Sequence, residues 1–203
     1  MFRYTAENLK KTIDMKKVLF FTLMLGLATI NFANAQDREM PDLPVLKITK
    51  FSDYQCPACK FYGQMLNQAK KDFGDRIEVI YKNYPLRMHQ HADLAARAAE
   101  AAREQGKFIE MHEMLFTGQE QWSRGNAKAI FIGYAKDLDL DMDKFEQDMN
   151  SARLNRRVLA DKREGTALGV NSTPTFFIDG KKVERLPQNY AGFKAMIESR
   201  MKY

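Results

Sequence analysis

One stretch constrains the fold more than any other: Phe51-Ser52-Asp53-Tyr54-Gln55-Cys56-Pro57-Ala58-Cys59-Lys60. It follows an apolar run, residues 45–51, that reads as a strand. It leads into Phe61, Tyr62, Met65, Leu66 and Ala69, whose spacings of three and four read as a helix. Cys56 and Cys59 are the two cysteines of the 203-residue chain. Three residues apart at a helix start, they lie about one turn from each other, so a rotamer change lets the sulfurs bond or separate. The first helical turn has unpaired N–H groups and the positive end of the macrodipole. A thiolate is favoured there, and the thiolate is the nucleophile of disulfide exchange. Pro57 suits the first turn, where its missing N–H costs nothing. A bare C-x-x-C is ambiguous, because half a zinc site looks the same. Strand, C-P-A-C, helix is more specific.

The chain's length supports one domain with an embedded subdomain. Met15-Lys16-Lys17 is a charged start, residues 18–30 are a short apolar core, and Ala33-Asn34-Ala35 is a small-x-small cleavage site. Together they predict a secretory signal over 1–35, with an upstream extension at 1–14, Met15 as an alternative start and Gln36 as the mature N-terminus. The apolar core is short for a membrane span. Cleavage would remove five basic and two acidic residues, lowering the net charge of +6 by three, to +3. A balance so mild and evenly spread does not point to nucleic acid. Export would place the chain where disulfides persist. A disulfide closing four residues constrains little, so the pair is better explained by redox chemistry than by stability.

Residues 36–44 are polar and Pro-broken, a lead-in. The predicted elements are strand one at 45–51, helix one at 56–73 closed near Gly74, and strand two at 77–81. A βαβ unit of this kind places the C-P-A-C turn at the carboxyl end of strand one, where α/β sites gather. A helical block follows, with helices over 92–104, 108–116 and 126–138, a short one capped by Asp141, and a longer one ending at Gly169. It is too long for a crossover and reads as an insertion. Strand character returns at Thr175-Phe176-Phe177-Ile178. Asp179-Gly180 predicts a tight hairpin with 182–184 as the return strand, and Asn189 caps a last helix. The predicted organisation is a first half at 36–91, a helical insertion at 92–169 and a second half at 170–203.

F-S-D-Y-Q-C-P-A-C-K, followed much later by N-S-T-P-T-F-F-I-D-G, resembles the DsbA-like thiol–disulfide oxidoreductases of the thioredoxin superfamily. Tyr84-Pro85-Leu86, His89 and the alanine-rich run from Ala92 resemble that branch too. The resemblance implies an α/β fold, a thioredoxin-like four-stranded mixed sheet with an inserted helical subdomain. It implies Cys56 as the exposed attacking sulfur and Cys59 as the resolving one, with Pro57 and Ala58 between them tuning the pair. Thr173-Pro174, with Pro174 cis, would face the cysteines and offer the Thr173 backbone to an extended client segment. No cofactor and no metal are implied. The implied partners are reduced or unfolded exported proteins and a membrane redox protein that recycles the enzyme, in the periplasm.

Two departures bear on direction. The family commonly has a carboxylate six residues before the first cysteine; here that position is Lys50. Its oxidants often have His between the cysteines; here it is Ala58. Lys50, if it lies beneath the site, would lower the Cys56 pKa; it could equally sit on an exposed strand face. The leading expectation is donation of the Cys56–Cys59 disulfide to clients. The alternatives are a reductase or isomerase of the same fold, and a thiol module for a soft metal such as Cu(I). Isomerases of the superfamily carry a separate dimerisation domain, for which residues 36–44 leave no room, so a monomer is expected. A surface or helix-start place is expected for His89, His91 and His112, and a core place for Trp122.

Overall fold

In the computed structural model the described residues are 45–201. The expected signal and its upstream extension lie outside them. Strand β1, Leu46–Ser52, pairs in parallel with β2, Ile77–Asn83, from Leu46↔Ile77 to Ser52↔Asn83. It pairs antiparallel on its other side with β3, Thr175–Ile178. A two-residue strand β4, Lys181–Lys182, completes a mixed sheet in the order β2-β1-β3-β4. The return strand therefore starts one residue earlier than expected. Asp179 and Gly180 have φ of 46° and 75°, and a two-residue turn of that kind pairs its flanking residues directly, Ile178 with Lys181.

Helix α1, Pro57–Phe73, joins β1 to β2. It starts one residue later than expected, because Cys56 takes the N-cap position with extended φ/ψ of −80° and 119°. Six helices lie between β2 and β3: α2 Ala92–Arg103, α3 Phe108–Thr117, α4 Gln119–Trp122, α5 Ala127–Asp137, α6 Met142–Met149 and α7 Ala152–Ala167. The short α4 is not signalled by the sequence. Helix α8, Tyr190–Glu198, closes the fold. Asp141 and Asn189 cap as expected: each side chain accepts a main-chain N–H three residues on, from Lys144 and Gly192.

The sheet is covered on both faces. Tyr62, Met65 and Leu66 of α1 pack with Ile48, Phe176 and, from α8, Phe193 and Ile197. A second cluster joins the cysteines and Tyr54 to the insertion, through Phe108, Met111, Phe116, Trp122 and Phe131. Trp122 is fully buried, as expected for a core residue, and its Nε1 donates to Leu115 O at 2.7 Å. Gly165 lets α7 close onto the sheet. A Cβ there would come within 2.8 Å of the Phe51 ring and 2.9 Å of the Tyr84 ring. The packing sets the C-terminal end of β1, and with it the C-P-A-C turn, at the seam between sheet and insertion.

Candidate active site

Both cysteines are free thiols in this structure. Cys56 is 7% exposed and Cys59 is fully buried. The site face around them is made by Pro57 and Ala58, both exposed, and by the Thr173-Pro174 loop, whose peptide bond is cis. As a thiol, Cys56 Sγ donates to Thr173 O at 3.4 Å, so the loop expected to face the cysteines does so. Beside Pro174 lies a groove of about 400 Å³, bordered by Tyr62, Asn171, Ser172, Thr175 and Gln188.

The two sulfurs differ in acidity. A hydrogen bond from the Cys59 thiol is the first cause that brings the Cys56 pKa down, to about 5. Burial opposes it. The Thr173 side chain and the N–H groups of Cys59 and Ala58 add to the lowering. The Thr173 hydroxyl makes no other hydrogen bond among the described residues, so it is available to the thiolate. Burial pushes the Cys59 thiol up instead, and its bond to Cys56 pushes it further. The Lys50 charge and the Asp53 N–H, 3.4 Å from Cys59 Sγ, pull it partly back.

Lys50 lies beneath the pair and not on an exposed face. It is fully buried, its Nζ donates to Cys59 O at 3.1 Å, and it stands 4.9 Å above the Phe116 ring. Gly63 makes room for it: a Cβ there would be 3.3 Å from Nζ. Burial lowers the Lys50 pKa, against the opposing charges of Cys59, Glu113 and Cys56. The contact corrects the expectation in one respect. Lys50 acts first on Cys59, whereas the low pKa of Cys56 comes from hydrogen bonds.

Other residues of the site carried no clear signal. Gln119, buried in α4, donates from Nε2 to Tyr54 O at 2.7 Å and Cys56 O at 3.0 Å, clamping the turn from the insertion. His112 is buried, contrary to expectation. It shares a 2.8 Å hydrogen bond with the Tyr54 hydroxyl and packs among Tyr81, Phe108 and Phe116. Burial, helped by the Lys50, Lys70 and Arg103 charges, holds its pKa well below the usual histidine range. The spacing of Phe108, His112 and Phe116 along one helical face was the available sign. His91 precedes α2, as a helix-start residue should. His89 is tied to Asp53 and is not simply a surface residue. Among the described residues, no group of three or more His, Cys, Asp or Glu side chains could hold a metal ion.

A family model described as Thioredoxin matches residues 44–199. Curated relatives include the Na(+)/H(+) antiporter NhaA 1 of Mycobacterium sp. (strain KMS), 35% identical over 147 residues, or 70% of this chain and 23% of the antiporter. The chain thus spans under a quarter of the length of such relatives, and the transport named belongs to those longer proteins. Among the described residues, no helix is long and apolar enough to cross a membrane. Among solved structures, BdbD from Bacillus subtilis superposes with a TM-score of 0.64 at 22% identity, covering 79% of this chain and 87% of BdbD. The thiol-disulfide exchange protein α-DsbA2 from Wolbachia pipientis gives 0.65 at 18%, covering 78% and 83%. With a family match across most of its length and a helical insertion between β2 and β3, the chain belongs to the thioredoxin family and has the fold of its DsbA-like members.

Proposed function

We propose that the protein is an exported thiol–disulfide oxidoreductase that donates its Cys56–Cys59 disulfide to reduced client proteins. The observation that carries the reading is the asymmetry of the sulfurs: a hydrogen-bonded Cys56 with a pKa brought down to about 5, beside a buried Cys59 whose pKa is pushed up. A low-pKa sulfur is a good leaving group, so a disulfide that contains it is easily reduced and oxidises others.

In the exchange, a client thiolate bonds to Cys56 Sγ and the Cys56–Cys59 bond breaks, its electron pair leaving on Cys59. A second client thiolate then attacks the client sulfur of the mixed disulfide and releases Cys56 as the thiolate. The client loses two electrons and the cysteine pair gains them. Thr173 O meets Cys56 Sγ and Pro174 borders the neighbouring groove, and this loop would receive the client as an extended segment. Pro57 takes the first helical position after the Cys56 N-cap, and Ala58 stands exposed beside it. Lys50 supplies a positive charge under Cys59. The signal expected at 1–35 directs the chain to the periplasm, where a membrane redox partner restores the disulfide to a monomeric enzyme. Equilibration of oxidised protein with a glutathione buffer tests the direction. A potential near about −120 mV fits a donor, and one near about −270 mV replaces the donor with a reductase.

A further inference from the structure

Asp53 plays no part in the exchange as set out above, yet its side chain is fully buried and holds three hydrogen bonds. Oδ1 accepts from Gln55 N at 2.7 Å. Oδ2 accepts from Leu86 N at 2.7 Å and from Nδ1 of His89 at 2.8 Å. The main chain of the same residue holds both cysteines. Its O accepts from Cys56 N at 3.2 Å, and its N–H points at Cys59 Sγ, 3.4 Å away. Two further bonds fasten the turn to the segment between β2 and α2: Tyr84 N to Ser52 O at 2.7 Å and His91 N to Gln55 Oε1 at 2.8 Å. A buried carboxylate is costly unless it is paired and hydrogen-bonded. Three donors converging from two segments require a group that only accepts. An amide would turn its NH2 toward one of them.

We infer that Asp53 is a positioning residue for the exchange, with His89 as its partner, and that together they hold the Asp53 main-chain N–H on the sulfur of Cys59. The inference rests on the thiol–disulfide exchange proposed above. When an incoming thiolate bonds to Cys56, the electron pair of the broken bond leaves on Cys59, and no proton moves in that step. An N–H donated to a thiolate is charge-assisted and stronger than one donated to a neutral sulfur. The contact therefore strengthens as the bond breaks, and only such a difference accelerates a step.

The test is the rate at which glutathione opens the Cys56–Cys59 disulfide at pH 7. Asp53→Asn is expected to slow it about three- to tenfold, less than the loss of a whole hydrogen bond to a charged group, because the N–H is turned and not removed. Alkylation of Cys56 in the Cys59→Ala background is expected to stay within about twofold on the same substitution, because Asp53 meets Cys56 only at its backbone N–H and not at its sulfur. His89→Gln keeps a donor and should retain most of the rate, whereas His89→Leu should lose several-fold. A role confined to stability would lower the melting temperature and leave the rate alone, and that result overturns the inference. So does a parallel loss of Cys56 alkylation. If Asp53→Asn fails to fold, the two His89 variants decide, and equal rates between them overturn it. A wild-type protein that exchanges with glutathione but oxidises no reduced client defeats the donor reading and leaves this inference standing.

Discussion

Cys56 and Cys59 stand three residues apart on one turn, and the molecule gives them opposite surroundings. Cys56 is the N-cap, with extended φ/ψ, and it meets the Thr173 loop at the rim of the site. Cys59 is inside the first turn of α1 and meets the floor, made by Lys50 of β1 and the Asp53 main chain. At the rim, hydrogen bonds outweigh burial and the pKa falls to about 5. On the floor, burial outweighs a nearby cation and a donor, and the pKa rises. Proximity to a positive charge is thus a poor guide to which thiol is activated. What decides is how many donors reach the sulfur and how much solvation it has lost.

The largest effect expected from this contrast is all-or-none. Cys56→Ala should abolish exchange, while Cys59→Ala should accumulate mixed disulfides with clients, visible as slow bands on non-reducing gels. Trapping by both variants alike would break the contrast. In the reduced wild type at mildly acidic pH, alkylation should label Cys56 first.

Lys50→Met is expected to separate the floor from the rim. Burial of the cation lowers its pKa, which means the fold disfavours the charged form. An apolar residue of similar length removes the cost of burying that charge, so the melting temperature should stay the same or rise. The Cys56 alkylation midpoint should move little, and the resolving step at Cys59 should slow. A large upward shift of the Cys56 midpoint would mean that Lys50 serves the rim after all. Gln119→Leu works from the other side. Tyr54 O would lose its donor inside the protein, at a cost of about 1–2 kcal/mol in chemical denaturation. Cys56 O keeps the N–H groups of Cys59 and Lys60.

The smallest effect is the balance of the two redox forms. The Cys56 pKa is about 5 folded, against about 8.5 in an unfolded chain. A depressed thiol pKa adds stability that is full above the unfolded value and is lost as pH falls through the folded one. At pH 7, above the folded pKa and below the unfolded one, the thiolate favours the reduced fold by roughly 2–3 kcal/mol. The four-residue disulfide loop favours the oxidised fold by about 2 kcal/mol. The reduced protein should melt slightly higher at pH 7, with the order reversing below about pH 6. Melting curves of both forms from pH 4 to 8 check it. An oxidised form that is the more stable at pH 7 turns the donor into a reductase.

Much of the fold was legible because it is specified locally. A C-P-A-C turn between an apolar run and a helical pattern, caps at Asp141 and Asn189, and an Asp-Gly turn before Lys181 each act within a few residues. The side of the sheet on which Lys50 falls was not legible. Strand alternation separates a buried face from an exposed one, but from Lys50 to Ser52 every residue of β1 is buried, because the insertion covers the face opposite α1 and α8. The period of two has nothing to distinguish there.

Sequence by itself determined which two atoms can react and most of the order of the elements, since these follow from side-chain chemistry and short-range propensity; the loop that would face the pair was expected from the family resemblance. Tertiary structure alone decided how the two thiols differ. Lys50 reaches Cys59 across 9 positions, Asp53 meets His89 across 36, Tyr54 meets His112 across 58, and Gln119 clamps the turn from 63 and 65 away. Burial and hydrogen bonding set the acidity of a sulfur, and both are sums over neighbours that only the closed chain brings together.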